Sequence, residues 1–128
     1  MLKIHLHLFL AFLILGSTNT IASAETISYS CSFFVVASPK GLKTEAKAFE
    51  LKYVIDRSSN KAYIMGNAGS AEVTEIANSA GVSFLEITGS GNVMVTAIAT
   101  NGDAVHSRNG IFSNQIIPTQ YYGKCEKQ

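Results

Sequence analysis

The sequence contains no tryptophan, only two prolines, two cysteines and three histidines, and only 15% of its 128 residues are charged. Each shortage excludes something. Ten Lys and Arg stand against nine Asp and Glu, and no Lys or Arg stripe gathers along the chain, which argues against a dedicated nucleic-acid binder. No apolar run approaches the roughly 20 residues that a membrane-spanning helix needs. Internal repeats, low-complexity tracts and charge blocks are also missing, so a chain of this length reads as one small domain.

What is present begins with a leader. Lys3 supplies a positive charge, Leu8 to Leu15 form a short apolar run, and Ala22-Ser23-Ala24 has the small residues of a cleavage site. Together they describe a secretory signal peptide over residues 1–24. No cysteine follows the apolar run closely, so no lipid attachment site is expected. The product, residues 25–128, is expected to be a soluble periplasmic protein without a membrane span. Removing Lys3 takes ten basic residues to nine, against nine acidic ones, and leaves that product formally neutral. His5 and His7 leave with the leader, so His106 becomes the sole histidine.

Cys31 and Cys125 lie near the two ends of the mature chain, 94 positions apart. In an exported protein two such thiols read as one disulfide. Closing so long a loop is worth roughly 4 to 5 kcal/mol by the chain-entropy treatment. The bond also requires the first and last strands to lie side by side.

The body of the chain alternates with a period of two. Ile27, Tyr29, Cys31, Phe33 and Val35 form one phase of a first strand, and Phe49, Leu51, Tyr53 and Ile55 repeat the pattern. Further strands are predicted over 61–65, 72–77, 82–88, 93–100, 104–108 and 116–125. Turn signals separate them at 58–60, 66–69, 78–81, 89–92, 101–103 and Asn109-Gly110. Residues 42–48 have fair helical propensity over too short a length for an isolated helix, and read as a loop running into the second strand. The expected fold is all-β: a small antiparallel meander of about eight strands, closed or nearly closed into a barrel and carrying one terminal disulfide. Closure would remove exposed strand edges.

Catalytic equipment is thin. A Ser-His-acid set could draw on His106 with Asp103 or Glu86, but no nucleophile elbow is present. One histidine and two paired cysteines leave no converging metal-ligand spacing, so neither metal nor cofactor is expected. The Gly89-Ser90-Gly91-Asn92 segment precedes a strand pattern and reads as a hairpin turn, not a phosphate cradle. We therefore expect a binding protein and not an enzyme.

Two polar-aromatic stretches could carry the binding. In residues 104–110, His106 and Arg108 project from one face and Ser107 from the other. In residues 118–125, Gln120, Tyr122 and Lys124 share one face, with Tyr121, Gly123 and Cys125 opposite. Tyr and Arg anchor interfaces because they bury area while keeping a polar tip. Equally, Tyr121 and Tyr122 could complete a core that lacks tryptophan, and Arg108 could pair with Asp103 or Glu86.

With a cysteine in its first strand and another at its end, this exported β-domain resembles the periplasmic and membrane-bound inhibitors of chicken-type lysozyme. That family has a small antiparallel barrel and blocks the lysozyme cleft with a Ser-Gly-x-x-Tyr loop, aided by a second motif that holds a lysine. Ser90-Gly91-Asn92-Val93-Met94 reproduces the Ser-Gly pair and has Met94 where the family has tyrosine, while Lys124 loosely matches the second motif. The stretch 104–108 and the ending 120–125 are also similar to small periplasmic proteins of α-proteobacteria, among which inhibitors of the cell's own peptidoglycan hydrolases are known.

The resemblance implies occlusion of a muramidase cleft. Such a cleft works with two carboxyl groups, which a hydroxyl and a cation could hold. Ser90, or Ser107, would supply the hydroxyl, and Arg108 or Lys124 the charge, with His106 and Tyr122 beside them. Two other readings stand alongside: a carrier of a small apolar ligand inside the barrel, and a non-inhibitory component of envelope assembly.

Overall fold

The computed structural model describes residues 23–128. The leader assigned to residues 1–24 therefore lies outside the described residues, apart from Ser23 and Ala24. The remainder is built of eight antiparallel strands: β1 (Thr26–Ser38), β2 (Gly41–Asp56), β3 (Lys61–Gly66), β4 (Gly69–Asn78), β5 (Gly81–Ile87), β6 (Val93–Ala99), β7 (Asp103–Phe112) and β8 (Gln115–Lys127). Each pairs with its neighbour in sequence, and β8 returns to pair with β1, which closes the barrel.

The two cysteines tie the strands that close the barrel. Cys31 and Cys125 face each other in the β1–β8 register and form a disulfide. Every strand alternates between the interior and the outer wall. Ile27, Cys31 and Phe33 of β1, Leu51, Tyr53 and Ile55 of β2, Ala62 and Ile64 of β3, and Val82 and Phe84 of β5 enter the core. The middle of the barrel is filled: Tyr53 stacks on Phe84 with ring centroids 4.2 Å apart, and Phe33 and His106 are buried beside them.

Two local expectations are corrected. Residues 42–48 are not a loop, because β2 already starts at Gly41 and Leu42, Lys43 and Thr44 pair with Ala37, Val36 and Val35. Hydrogen bonds offered by β1 override the weak helical preference of that segment. The register shifts between Phe33 and Val35, which leaves Phe34 unpaired and exposed and sets Val35 opposite Tyr122 on the outer wall, not in the phase of Phe33 as the alternation implied. Asn109-Gly110 is likewise not a turn. It lies inside β7, paired with Pro118 and Ile117, and the chain reverses at Ser113-Asn114, both with positive φ. A two-residue turn with left-handed φ at both positions matches the twist of the flanking strands.

The up-and-down order gives the barrel two unlike ends. One carries the chain termini and the β2–β3, β4–β5 and β6–β7 turns. The far end carries the other four turns, and there β7 and β8 run on as a hairpin reaching Ser113-Asn114.

Candidate functional site

The far end of the barrel gathers the polar groups most suited to binding. Thr96 on β6 and His106 on β7 face each other across the strand pair, both 1% exposed. Thr96 Oγ1 lies 2.6 Å from His106 Nδ1 and 2.5 Å from the Tyr53 hydroxyl. On the other side of the ring, Arg108 Nε donates to His106 Nε2 at 3.0 Å. Arginine cannot accept a hydrogen bond, so Nε2 carries the lone pair and Nδ1 the proton, an assignment that rests on the network. Arg108, His106, Thr96 and Tyr53 thus form one chain from the barrel mouth to its centre.

Burial sets the charge state of this chain. Desolvation, aided by the Arg108 cation, pushes His106 down to about 4 and keeps the imidazole neutral. Burial likewise pushes the Tyr53 hydroxyl up to about 12, against the opposing effect of its Thr96 hydrogen bond. With both ring nitrogens engaged, His106 holds Arg108 in place and has no free nitrogen to offer a serine.

Arg108 is the outermost member. Its guanidinium lies 4.8 Å from the centroid of the Phe49 ring and 5.1 Å from that of Tyr121, both within cation–π range. It borders a cup of about 400 Å³ in the barrel mouth, lined also by Phe49, Leu51, Ile64, Glu86 and Met94. It also borders a smaller groove of about 260 Å³ along the hairpin, formed with Asn92, Gly110, Ile117 and Tyr121. The rim is stitched together by short contacts. Ser90 Oγ lies 3.0 Å from Thr88 Oγ1, Asn92 Nδ2 donates to Ser90 Oγ at 3.2 Å, and Asn92 Oδ1 accepts from the Ile111 backbone N–H at 3.1 Å. Beyond the rim, Ile111, Phe112 and Ile116 of the hairpin are 69%, 71% and 74% exposed.

The sequence-predicted candidates therefore divide into three groups. Ser90 and Arg108 both lie at the far end, with His106 buried beneath Arg108. Ser107 and Tyr122 lie on the outer wall, linked through Gln120, which donates to Ser107 Oγ at 3.3 Å and accepts from the Tyr122 hydroxyl at 2.6 Å. Lys124 is at the opposite end, donating to Asp103 at 2.6 Å. That pairing takes up Asp103, one of the two partners proposed for Arg108, and Glu86 forms no ion pair with Arg108 either. The residues that share a face in each polar stretch are those grouped from the sequence, and the structure turns His106, Arg108, Tyr121 and Cys125 inward. Phe49, Glu86, Met94 and the apolar hairpin tip were missed as site residues. Glu86 carried a visible signal, a carboxylate in the same inward phase as Val82 and Phe84.

Fold and site together define a closed, disulfide-tied antiparallel barrel with a filled middle and an arginine-bearing mouth. Comparison of the chain with protein-family models, with curated proteins and with solved structures finds no match.

Proposed function

We propose that the protein is an exported inhibitor of a lysozyme-type peptidoglycan hydrolase, and that it covers the enzyme's cleft with the far end of its barrel. The observation that carries this reading is the state of Arg108. Two aromatic rings and a neutral histidine hold it, while its terminal nitrogens make no hydrogen bond among the described residues. A guanidinium fixed in this way loses little freedom on meeting a carboxylate and offers it two parallel donors. Lysozyme-type clefts present two carboxyl groups about 5 to 9 Å apart. Ser90 on the adjoining rim supplies a hydroxyl, and the exposed Ile111, Phe112 and Ile116 supply the apolar area that anchors an interface. The disulfide is compatible with an oxidising compartment such as the periplasm.

Two earlier alternatives fare less well. The stack of Tyr53 on Phe84 occupies the volume that an enclosed apolar ligand would need. A purely structural envelope role gives no reason for a fixed, unpaired arginine at the mouth.

Inhibition of cell-wall lysis by a panel of muramidases tests the reading. The wild-type protein is expected to inhibit at least one of them, Arg108→Gln to weaken that inhibition at least about tenfold, the loss of one charge-assisted contact, and Lys124→Ala to leave it unchanged. Failure to inhibit any lysozyme-type enzyme, or full potency in Arg108→Gln, overturns it.

A further inference from the structure

The two ends of the barrel treat charge differently. At the end bearing the termini, a cup of about 440 Å³ is bordered by Arg57 and Glu75, which satisfy each other through two hydrogen bonds of 2.6 and 2.9 Å. At the far end the corresponding opposite charges are Arg108 and Glu86, and neither takes part in an ion pair among the described residues. Both are only partly exposed and both line the same cup. Glu86 pairs in register with Met94, and Met94 with Arg108, so the two charged residues share one rung, separated by a strand. Neighbouring strands are about 4.8 Å apart, which puts their backbones roughly 10 Å from each other. Met94 lies between them.

A half-buried carboxylate and a half-buried guanidinium that line one cup without pairing each lose solvation without gaining an opposite charge. A ligand with one negative and one positive group satisfies both at once. The ammonium and carboxylate of an α-amino acid are joined through a single carbon. With one hydrogen bond of about 2.8 Å at each end, they span a carboxylate and a guanidinium that line one cup too far apart to form an ion pair. Phe49, Leu51, Ile64 and Met94 give the cup an apolar wall, with Asn67, Ser70, Thr88 and His106 as its other polar residues, and its volume lies within the usual range of about 300 to 1,000 Å³ for small-molecule sites.

We propose that the far cup binds a free α-amino acid with an apolar side chain. Arg108 receives its carboxylate in a two-pronged contact, Glu86 receives its ammonium, and the side chain lies against Phe49, Leu51, Ile64 and Met94. His106 positions Arg108 for this role through the Nε–Nε2 hydrogen bond. The amino acid takes the same Arg108 donors that the inhibitor reading gives to the enzyme's carboxylate, so the two occupants exclude each other; the binding assay contains no hydrolase and does not depend on that reading.

Calorimetric titration of the purified protein with L-leucine, L-methionine and L-phenylalanine tests the assignment. At least one is expected to bind saturably with one-to-one stoichiometry. For leucine, 4-methylpentanoate and 3-methylbutylamine, which each lack one charge, are expected to bind at least about tenfold more weakly. Glu86→Gln keeps the side chain's shape at a partly exposed position, and is expected to weaken amino-acid binding by a similar factor while leaving the thermal melt no lower than that of the wild type. Arg108→Gln is expected to abolish binding. Should that variant unfold, Glu86→Gln decides alone. Absence of saturable heat for all three amino acids up to about 10 mM, a concentration at which even a weak specific site fills, overturns the proposal. Equal binding of 4-methylpentanoate, or undiminished binding in Glu86→Gln, overturns it as well.

Discussion

His106 shows how one buried side chain links stability to pH. Its ordinary value is 6.5 and burial lowers it to about 4, so the unfolded chain takes up a proton between those values that the folded chain refuses. Stability from the neutral ring is therefore complete above about pH 6.5 and is lost as pH falls toward 4, by roughly 3 kcal/mol. Urea unfolding across pH 7 to 4 should show this loss, and His106→Gln should flatten it. Below pH 4 a second loss follows. Serine hydrogen bonds hold Asp56 down at about 2, and Lys124 followed by Asn101 lowers Asp103. Thr96 matters because it serves two buried partners at once. Thr96→Val keeps the volume but strands the Tyr53 hydroxyl and the His106 Nδ1 proton, and is expected to cost about 2 to 4 kcal/mol by the same unfolding measurement. The sequence marked His106 and Arg108 as facing one way, because parity along a strand is local. It could not show that Phe49 and Tyr121 would flank Arg108, since Tyr121 comes from the paired strand β8 and Phe49 comes from β2, which nears Arg108 only when β1 closes on β8.

Among the elements, the β7–β8 hairpin carries the clearest separation of stability from binding. Ile111 and Ile116 are paired on its outer face and largely exposed, so replacing both with serine is expected to change the unfolding free energy by no more than about 1 kcal/mol. The same double variant is expected to weaken muramidase inhibition severalfold, and lysis assays beside urea melts would separate the two effects. Gly123 on β8 presents the opposite case. A Cβ there would run into the Ser32 carbonyl oxygen and come 2.7 Å from Phe33 Cα on β1. Gly123→Ala is expected to cost about 1 to 3 kcal/mol, read as a lowered urea midpoint, because β1 and β8 must part to admit one methyl group. Strand identities were legible from alternation, whereas the limits of β2 and β7 were not. Residues 42–48 and Asn109-Gly110 have local preferences for other conformations, and strand partners across the preceding or the following turn overrode them.

At the scale of the whole molecule, closure is the decisive event. The β1–β8 pairing joins the ends of the domain, and the disulfide locks it across 94 positions of sequence. Reduction, or Cys31→Ser with Cys125→Ser, is expected to remove roughly 4 kcal/mol of stability. For a domain of about 100 residues that corresponds to a fall in melting temperature of some 15 to 30 °C, which melts with and without reductant would show. If the barrel mouth is the working surface, the double serine variant should still inhibit at temperatures where it remains folded.

The sequence by itself determined the β class, the strand count, the disulfide and the face on which most side chains lie. Each of these follows from period-two patterning, from turn chemistry or from the number of thiols, all of which act over short range or by count. Only the tertiary structure decided that Ser90 and Arg108 share one end while Lys124 lies at the other. It alone left Glu86 and Arg108 facing one cup without an ion pair, and placed four aromatic and polar side chains where an enclosed ligand would have to sit. Those facts depend on which strand ends meet when the sheet curls shut, and a one-dimensional pattern does not encode distances across a barrel.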